Sequence, residues 1–216
     1  QLKACERMVL ALKLYRVAFI IHNVELAKGR AQHRELVLVV FVFADIHDHL
    51  DHARAAVAEV NRRECELVVF AGDFVSTFVI PVLRELRCPL LGCFGDNEGN
   101  KLGLIGGLRI IGTVGDPPLG FRTADGTKIV VTHQFELLHN DYDGADVVIY
   151  AHTHKPAIDR DTAGRLFVNP GETSGWTYRK PSIAVVETNP LAAEIVLLPA
   201  MTPLPPRKIN RSTKSR

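Results

Sequence analysis

Five short apolar runs, each closed by an aspartate or a histidine, constrain this chain more than any other feature. Leu36–Ala44 ends at Asp45, and Leu67–Ala71 ends at Gly72-Asp73. Pro89–Phe94 ends at Gly95-Asp96, Lys128–Thr132 at His133, and Asp146–Ala151 at His152. Runs of this length, rich in Val and Ile and apolar on both faces, read as central strands covered on both sides. Helical spacing lies between them. Asp51–Arg63 sets Ala53, Val57 and Val60 on one face, with Asp51 placed to cap the start. Phe78–Leu86 reads as a second helix, with Pro81 near its first turn. Alternating strand and helix predicts an α/β architecture.

The second half is richer in strand signals. Ala124-Asp125-Gly126-Thr127 is a hairpin turn, and short strands are expected at Arg165–Val168, Ser182–Glu187 and Ala193–Leu198. A second sheet packed on the first follows from this. Gly106-Gly107 lacks the companions of a nucleotide-binding loop and reads as a turn.

In open α/β sheets, ligands bind beyond the carboxyl ends of the strands. The polar residues that close the five runs therefore converge on one edge. Asp45 and His47 are two apart, as are His152 and His154, so each pair points one way in extended chain. The set is Asp45, His47, Asp73, Asp96, His133, His152 and His154, three carboxylates and four imidazoles. Such donors suit Mn, Fe, Zn or Ni better than Mg or Ca alone. Seven ligands exceed the needs of one ion and suit two divalent ions sharing a bridge. Two cations about 3.5–4 Å apart hold a bridging water as hydroxide and bind phosphate oxygens, the chemistry of in-line phosphate-ester hydrolysis.

The order Asp45-Ile46-His47, Gly72-Asp73, Gly95-Asp96-Asn97-Glu98, Thr132-His133 and Ala151-His152-Thr153-His154 resembles the calcineurin-like metallophosphoesterase signature. Ala44–Leu50, Gly72–Ser76 and Asn169-Pro170-Gly171-Glu172 resemble its small YfcE/MJ0936-like phosphodiesterase subfamily, which shares its fold with Vps29. The resemblance implies a four-layer α/β/β/α sandwich of two mixed sheets. It places Asp45, His47, Asp73 and His154 on a first metal, and Asp73, Asp96, His133 and His152 on a second, with Asp73 as the bridge. It implies a dinuclear site, with manganese as the expected metal, and a small phosphate ester, most of all a diester, as substrate. Asp73, Asp96 and Asn97 carry the catalytic expectation, and His49 and Asn97 the substrate contacts.

Three departures stand out. Asp96 replaces the family's usual Asn and adds a negative charge near the phosphate, with Asn97 the alternative ligand after a small loop shift. Asn97 stands where larger phosphatases carry a proton-donating His, which favours diesters and good leaving groups. Gln134-Phe135 follows His133 where Gly is frequent, and Ala151 replaces Gly. His49 is read as a substrate contact or ligand-orienting residue, and His52 and His139 as exposed helix residues. Gly171 and Glu172 are read as a turn near the site, and Asn169 as a helper rather than a ligand.

Competing readings are weaker. A Vps29-like interaction scaffold would be signalled by loss of a ligand histidine, and all four are present. His47-Asp48 suggests an HD-type phosphohydrolase, but those ligands sit on helices, whereas His47 follows a β run. A haloacid dehalogenase-type phosphatase needs Asp-x-Asp at 45–47.

Composition bounds the rest. The 216 residues suit one domain over 36–200, with an extension at 1–35 and a basic tail at 201–216. Net charge is +2, yet the tail holds five basic residues and no acid, so the remainder carries 21 basic against 24 acidic residues. The tail reads as a solvated, disordered end rather than a nucleic-acid site. Residues 1–35 contain no membrane-length apolar span. Cys5, Cys65, Cys88 and Cys93 form no CxxC pair and read as core thiols of a cytoplasmic protein. Spacing leaves the oligomeric state open, a homo-oligomer included.

Overall fold

The computed structural model describes residues 38–63, 65–139 and 141–199. The extension at 1–35 and the basic tail at 201–216 lie outside the described residues. So does Cys5.

Sheet one is built first. β1 (Val39–Phe43), β2 (Leu67–Ala71), β3 (Leu90–Cys93) and β4 (Gly112–Gly115) run parallel, each beside the next. Helices make the crossovers: α1 (Leu50–Arg62), α2 (Ile80–Leu83, entered through a 3-10 turn at Thr77–Val79) and α3 (Lys101–Leu108). β5 (Leu119–Arg122), β6 (Lys128–Val131), β7 (Val147–Ile149), β8 (Ala157–Arg160) and β9 (Leu166–Asn169) form sheet two in the order β5-β6-β7-β9-β8. The chain then returns. β10 (Ser182–Thr188) pairs antiparallel with β1, and β11 (Leu191–Leu197) with β10.

Alternation along the strands makes the layers. On β1, Phe41 and Phe43 face α1 and α2 in one core, with Phe70, Phe74, Ala53, Val57 and Leu83. Val40 and Val42 face the other way and meet Ile129, Val131, Val147 and Val168 of sheet two. Central strands are thus covered on both faces, as their unbroken apolar runs require. The fourth layer is thin: a 3-10 turn at Phe135–Leu138 closes the outer face of sheet two over Val148. The architecture is the expected α/β/β/α sandwich of two mixed sheets.

Some local expectations are corrected. His49, not Asp51, caps α1: its side chain accepts from the His52 N–H, while Asp51 pairs with Arg54. Gly106-Gly107 lies inside α3, not in a turn. A Cβ on Gly107 would fall 2.3 Å from Cδ1 of Ile80, so the glycine lets α3 approach α2 closely. Cys88 and Cys93 are buried and Cys65 half-buried, as core thiols are. Among the described residues no helix is long and apolar enough to cross a membrane.

Candidate metal centre

All seven chemistry-bearing residues converge where the parallel strands of both sheets end. Asp45 and His47 follow β1, Asp73 follows β2, and Asp96 follows β3. His133 follows β6, and His152 and His154 follow β7. Five of them sit in left-handed backbone: Asp45, His47, Asp73, His152 and His154, with φ between 44° and 69°. That conformation costs of order 1–3 kcal/mol per residue and persists only where the surroundings impose it. Here the Asp45 N–H donates to the Gly72 carbonyl, and the Ile46 and His47 N–H groups donate to the Asp73 carbonyl. Asp48 locks the same loops by accepting from the Ser76 backbone N–H and hydroxyl.

The donor atoms gather in three overlapping sets, one of them Asp45, Asp73 and His133. Asp45, His47 and His154 bring ligand atoms within 4.8 Å of one another, and so do Asp96, His133 and His152. Asp73 joins the groups: its Oδ2 lies 3.4 Å from Nε2 of His47 and 3.4 Å from Nε2 of His133. The other separations are alike, 3.3 Å for His47 Nε2 to His154 Nε2 and 3.5 Å for His154 Nε2 to Asp45 Oδ1. Ligands about 2.1 Å from a common ion stand roughly 3.0–3.4 Å apart, so these spacings fit one ion per group.

The hydrogen-bond inventory points the same way. Both carboxylate oxygens of Asp45 and Nε2 of His133 are buried without a hydrogen-bond partner. Asp96 Oδ1 is 2.9 Å from that nitrogen, but the two atoms lie side by side rather than donor to acceptor. Burying such atoms unpaired costs about 1–3 kcal/mol each, a cost that a shared cation removes.

A second ring of residues fixes the ligands. The Ala71 carbonyl accepts from Nδ1 of His133 at 2.8 Å, and the Glu172 carboxylate accepts from Nδ1 of His154 at 2.9 Å. In the neutral rings these bonds put the proton on Nδ1 and leave the Nε2 lone pair free, as metal-binding imidazoles require. Glu172 is fully buried and also accepts from the Thr177 and Tyr178 N–H groups. Asn97 holds Asp73, its backbone N–H on Oδ1 at 3.0 Å and its amide on Oδ2 at 2.8 Å. Glu98 Oε1 gathers the N–H groups of Asp73, Phe74 and Gly95. A Cβ on Gly95 would lie 2.2 Å from Asp73 Oδ1, so only glycine admits this contact.

Electrostatics follow from the packing. Burial opposes ionisation of Asp73, but His133 and Asn97 outweigh it and hold the carboxyl well below the usual range. Burial likewise opposes a proton on His133, yet Asp73 and the Ala71 carbonyl raise it to about 9. The neighbouring Asp45 carboxylate, and then Asp73, raise His47 in the same way against its burial.

The remaining expectations divide. His49 caps α1 and stacks on His52, and burial, then His52, lower its pKa. His52 is buried, not exposed: its imidazole bonds the Ser174 carbonyl through Nδ1. His139 is exposed and ends the 3-10 turn. Phe135 turns away from the cluster into a group with Tyr142, Tyr150 and Phe167. Asn169 donates to the Ala151 carbonyl and to Thr153 Oγ1, bracing the His152–His154 loop without ligating. By sequence alone Glu172 reads as part of a turn and Glu98 as part of the Gly95-Asp96-Asn97-Glu98 motif. The one signal in the sequence is an acid directly after Pro170-Gly171.

Comparison with known proteins gives the family and the fold. A profile of the calcineurin-like phosphoesterase superfamily domain matches residues 38–190. The phosphodiesterase MJ0936 of Methanocaldococcus jannaschii is 33% identical over 156 residues, 68% of this chain and 91% of that protein. The structure of an archaeal phosphodiesterase superposes with a TM-score of 0.69 at 28% identity, covering 74% of this chain and 100% of that one. YfcE of E. coli superposes at 0.53 with 16% identity, over 75% of this chain and 100% of its own; at that identity it shares the fold alone.

Proposed function

This chain belongs to the calcineurin-like phosphoesterase superfamily, and on that footing we propose that it is a metal-dependent phosphodiesterase with a dinuclear centre. The observation that carries the reading is the meeting of two three-residue donor groups at Asp73 Oδ2, with buried donor atoms left unpaired. Asp45, His47, Asp73 and His154 would hold one divalent ion, and Asp73, Asp96, His133 and His152 the other, manganese being the first candidate and Ni, Fe or Zn fitting the same donors. Such a pair of ions supplies Lewis acidity toward a phosphoryl oxygen and lowers the pKa of water.

The chain's own residues do the rest. Asn97 and Glu98 fix Asp73, Glu172 and the Ala71 carbonyl fix the imidazoles, and Asp45 lies buried beneath them. Asn97 has no proton to give a leaving oxygen, which favours diesters and good leaving groups. Its free Oδ1, and Nε2 of His49, are the atoms left to meet a substrate, since their other polar atoms are spent on Asp73 and on the α1 cap. Asp96 narrows the site's positive field, because its half-exposed carboxylate stands where a phosphate approaches.

The same fold occurs in Vps29, but four converging imidazoles favour catalysis over a scaffold. The test is hydrolysis of bis-p-nitrophenyl phosphate and p-nitrophenyl phosphate by metal-stripped protein, with and without Mn²⁺ or Ni²⁺. Metal-stimulated cleavage, faster on the diester and lost in Asp73→Ala, is expected. Activity that ignores metal, or survives Asp73→Ala, would refute the reading.

A further inference from the structure

Beside the donor cluster stands the chain's one tryptophan. Trp176 is 62% exposed, although an indole is a costly surface to leave in water. It is nevertheless fixed. Its Nε1–H donates to the His47 carbonyl at 3.3 Å, tying the ring to a member of the donor cluster. The ring leans on His49, with centroids 4.5 Å apart and planes at 45°. His49 stacks on His52 at 4.0 Å and 13°, and His52 is buried against the Ser174 carbonyl. The result is a column of three aromatic rings, rooted in the core and open at its top. Thr177, the next residue, places Oγ1 3.1 Å from Nδ1 of His154. The segment therefore touches the backbone of one donor residue, His47, and the imidazole of another, His154.

A phosphodiester held at the cluster must lay one ester substituent alongside it. The flat surface waiting there is the indole, pre-positioned at no further entropic cost. We propose that Trp176 is a stacking platform for a nucleobase, so that the preferred substrates are nucleotide phosphodiesters rather than alkyl ones. The inference rests on the phosphodiesterase reading above. Aromatic stacking of this kind tolerates any base, because every base has a π-face, and its loss on alanine substitution weakens binding by about tenfold.

Two ligands that differ only in the base isolate the claim. Wild-type protein loaded with metal is titrated with adenosine 5′-monophosphate and with ribose 5-phosphate, by calorimetry and by Trp176 fluorescence. The nucleotide is expected to bind about tenfold more tightly and to quench the indole saturably, while ribose 5-phosphate does neither. W176A should remove most of that advantage. W176F should keep most of it, because it retains a ring but loses the Nε1–H bond to His47. Equal affinities in the wild type would overturn the proposal. So would an advantage that survives W176A, or W176F behaving as W176A does, which would mark Trp176 as a brace for His47. Failure of the phosphodiesterase reading would be distinct: no metal-stimulated hydrolysis of bis-p-nitrophenyl phosphate, a reaction these titrations do not use.

Discussion

Oδ1 of Asp96 lies 2.9 Å from Nε2 of His133, yet the two atoms share no hydrogen bond. They stand as neighbouring ligands would around a common centre. Since the usual residue at 96 is a neutral amide, this carboxylate keeps an oxygen donor and adds a charge. Asp96→Asn should therefore tighten binding of inorganic phosphate, read as a competitive Ki, by roughly three- to tenfold, the screened remainder of a close like-charge repulsion. An unchanged Ki would show that the charge is already neutralised.

Glu172 orients the imidazole of His154. Its carboxylate is buried and accepts from Nδ1 of His154. Glu172→Gln should lower metal affinity about 10- to 100-fold, the usual effect of removing a carboxylate behind a ligating imidazole. Calorimetric titration with Mn²⁺ checks this. Unaltered affinity would reduce Glu172 to a structural anchor for Thr177 and Tyr178.

A metal held by His133 would compete with a proton there. Its folded pKa, about 9, exceeds the unfolded value near 6.5. In metal-free protein this pairing contributes stability fully below about pH 6.5, and the contribution is lost as pH rises through about 9. Metal needs the neutral ring, so metal affinity should climb across the same window, by up to about tenfold per pH unit for each proton displaced. Mn²⁺ titrations at several pH values, in buffers of different ionisation enthalpy, read both the slope and the proton release. A flat affinity would contradict the protonated state assigned to His133.

Sterics require a glycine at position 95. A methyl group there would press on Asp73 Oδ1 and on the Asp73 N–H. Gly95→Ala should abolish the rise in melting temperature that metal gives the wild type. Circular dichroism of the metal-free variant separates this from general misfolding. A metal-dependent shift equal to wild type would mean that Asp73 can move without losing its ions.

Much of this is legible in the sequence. Apolar runs ending in Asp or His placed β1, β2, β3, β6 and β7, and with them the donor set, because a strand covered on both faces must be apolar throughout. β4, β5 and β8 escaped notice because they are short edge strands whose residues, GTVG, LGFR and AIDR, carry little apolar pattern. α3 escaped because KLGLIGGL has three glycines and no polar face to mark helical period. Glu98, Glu172, His49 and His52 act through loop geometry. Nothing in local sequence spacing reports that His52 faces the Ser174 carbonyl across 122 positions.

The most direct test is metal stoichiometry. Stripped protein, reloaded with Mn²⁺ and freed of excess, should hold two ions per chain by elemental analysis. Asp73→Ala should lower occupancy at both sites, because Oδ2 stands equally close to His47 and His133. One ion per chain in the wild type, or an Asp73→Ala variant that still holds two, would contradict a centre bridged by Asp73.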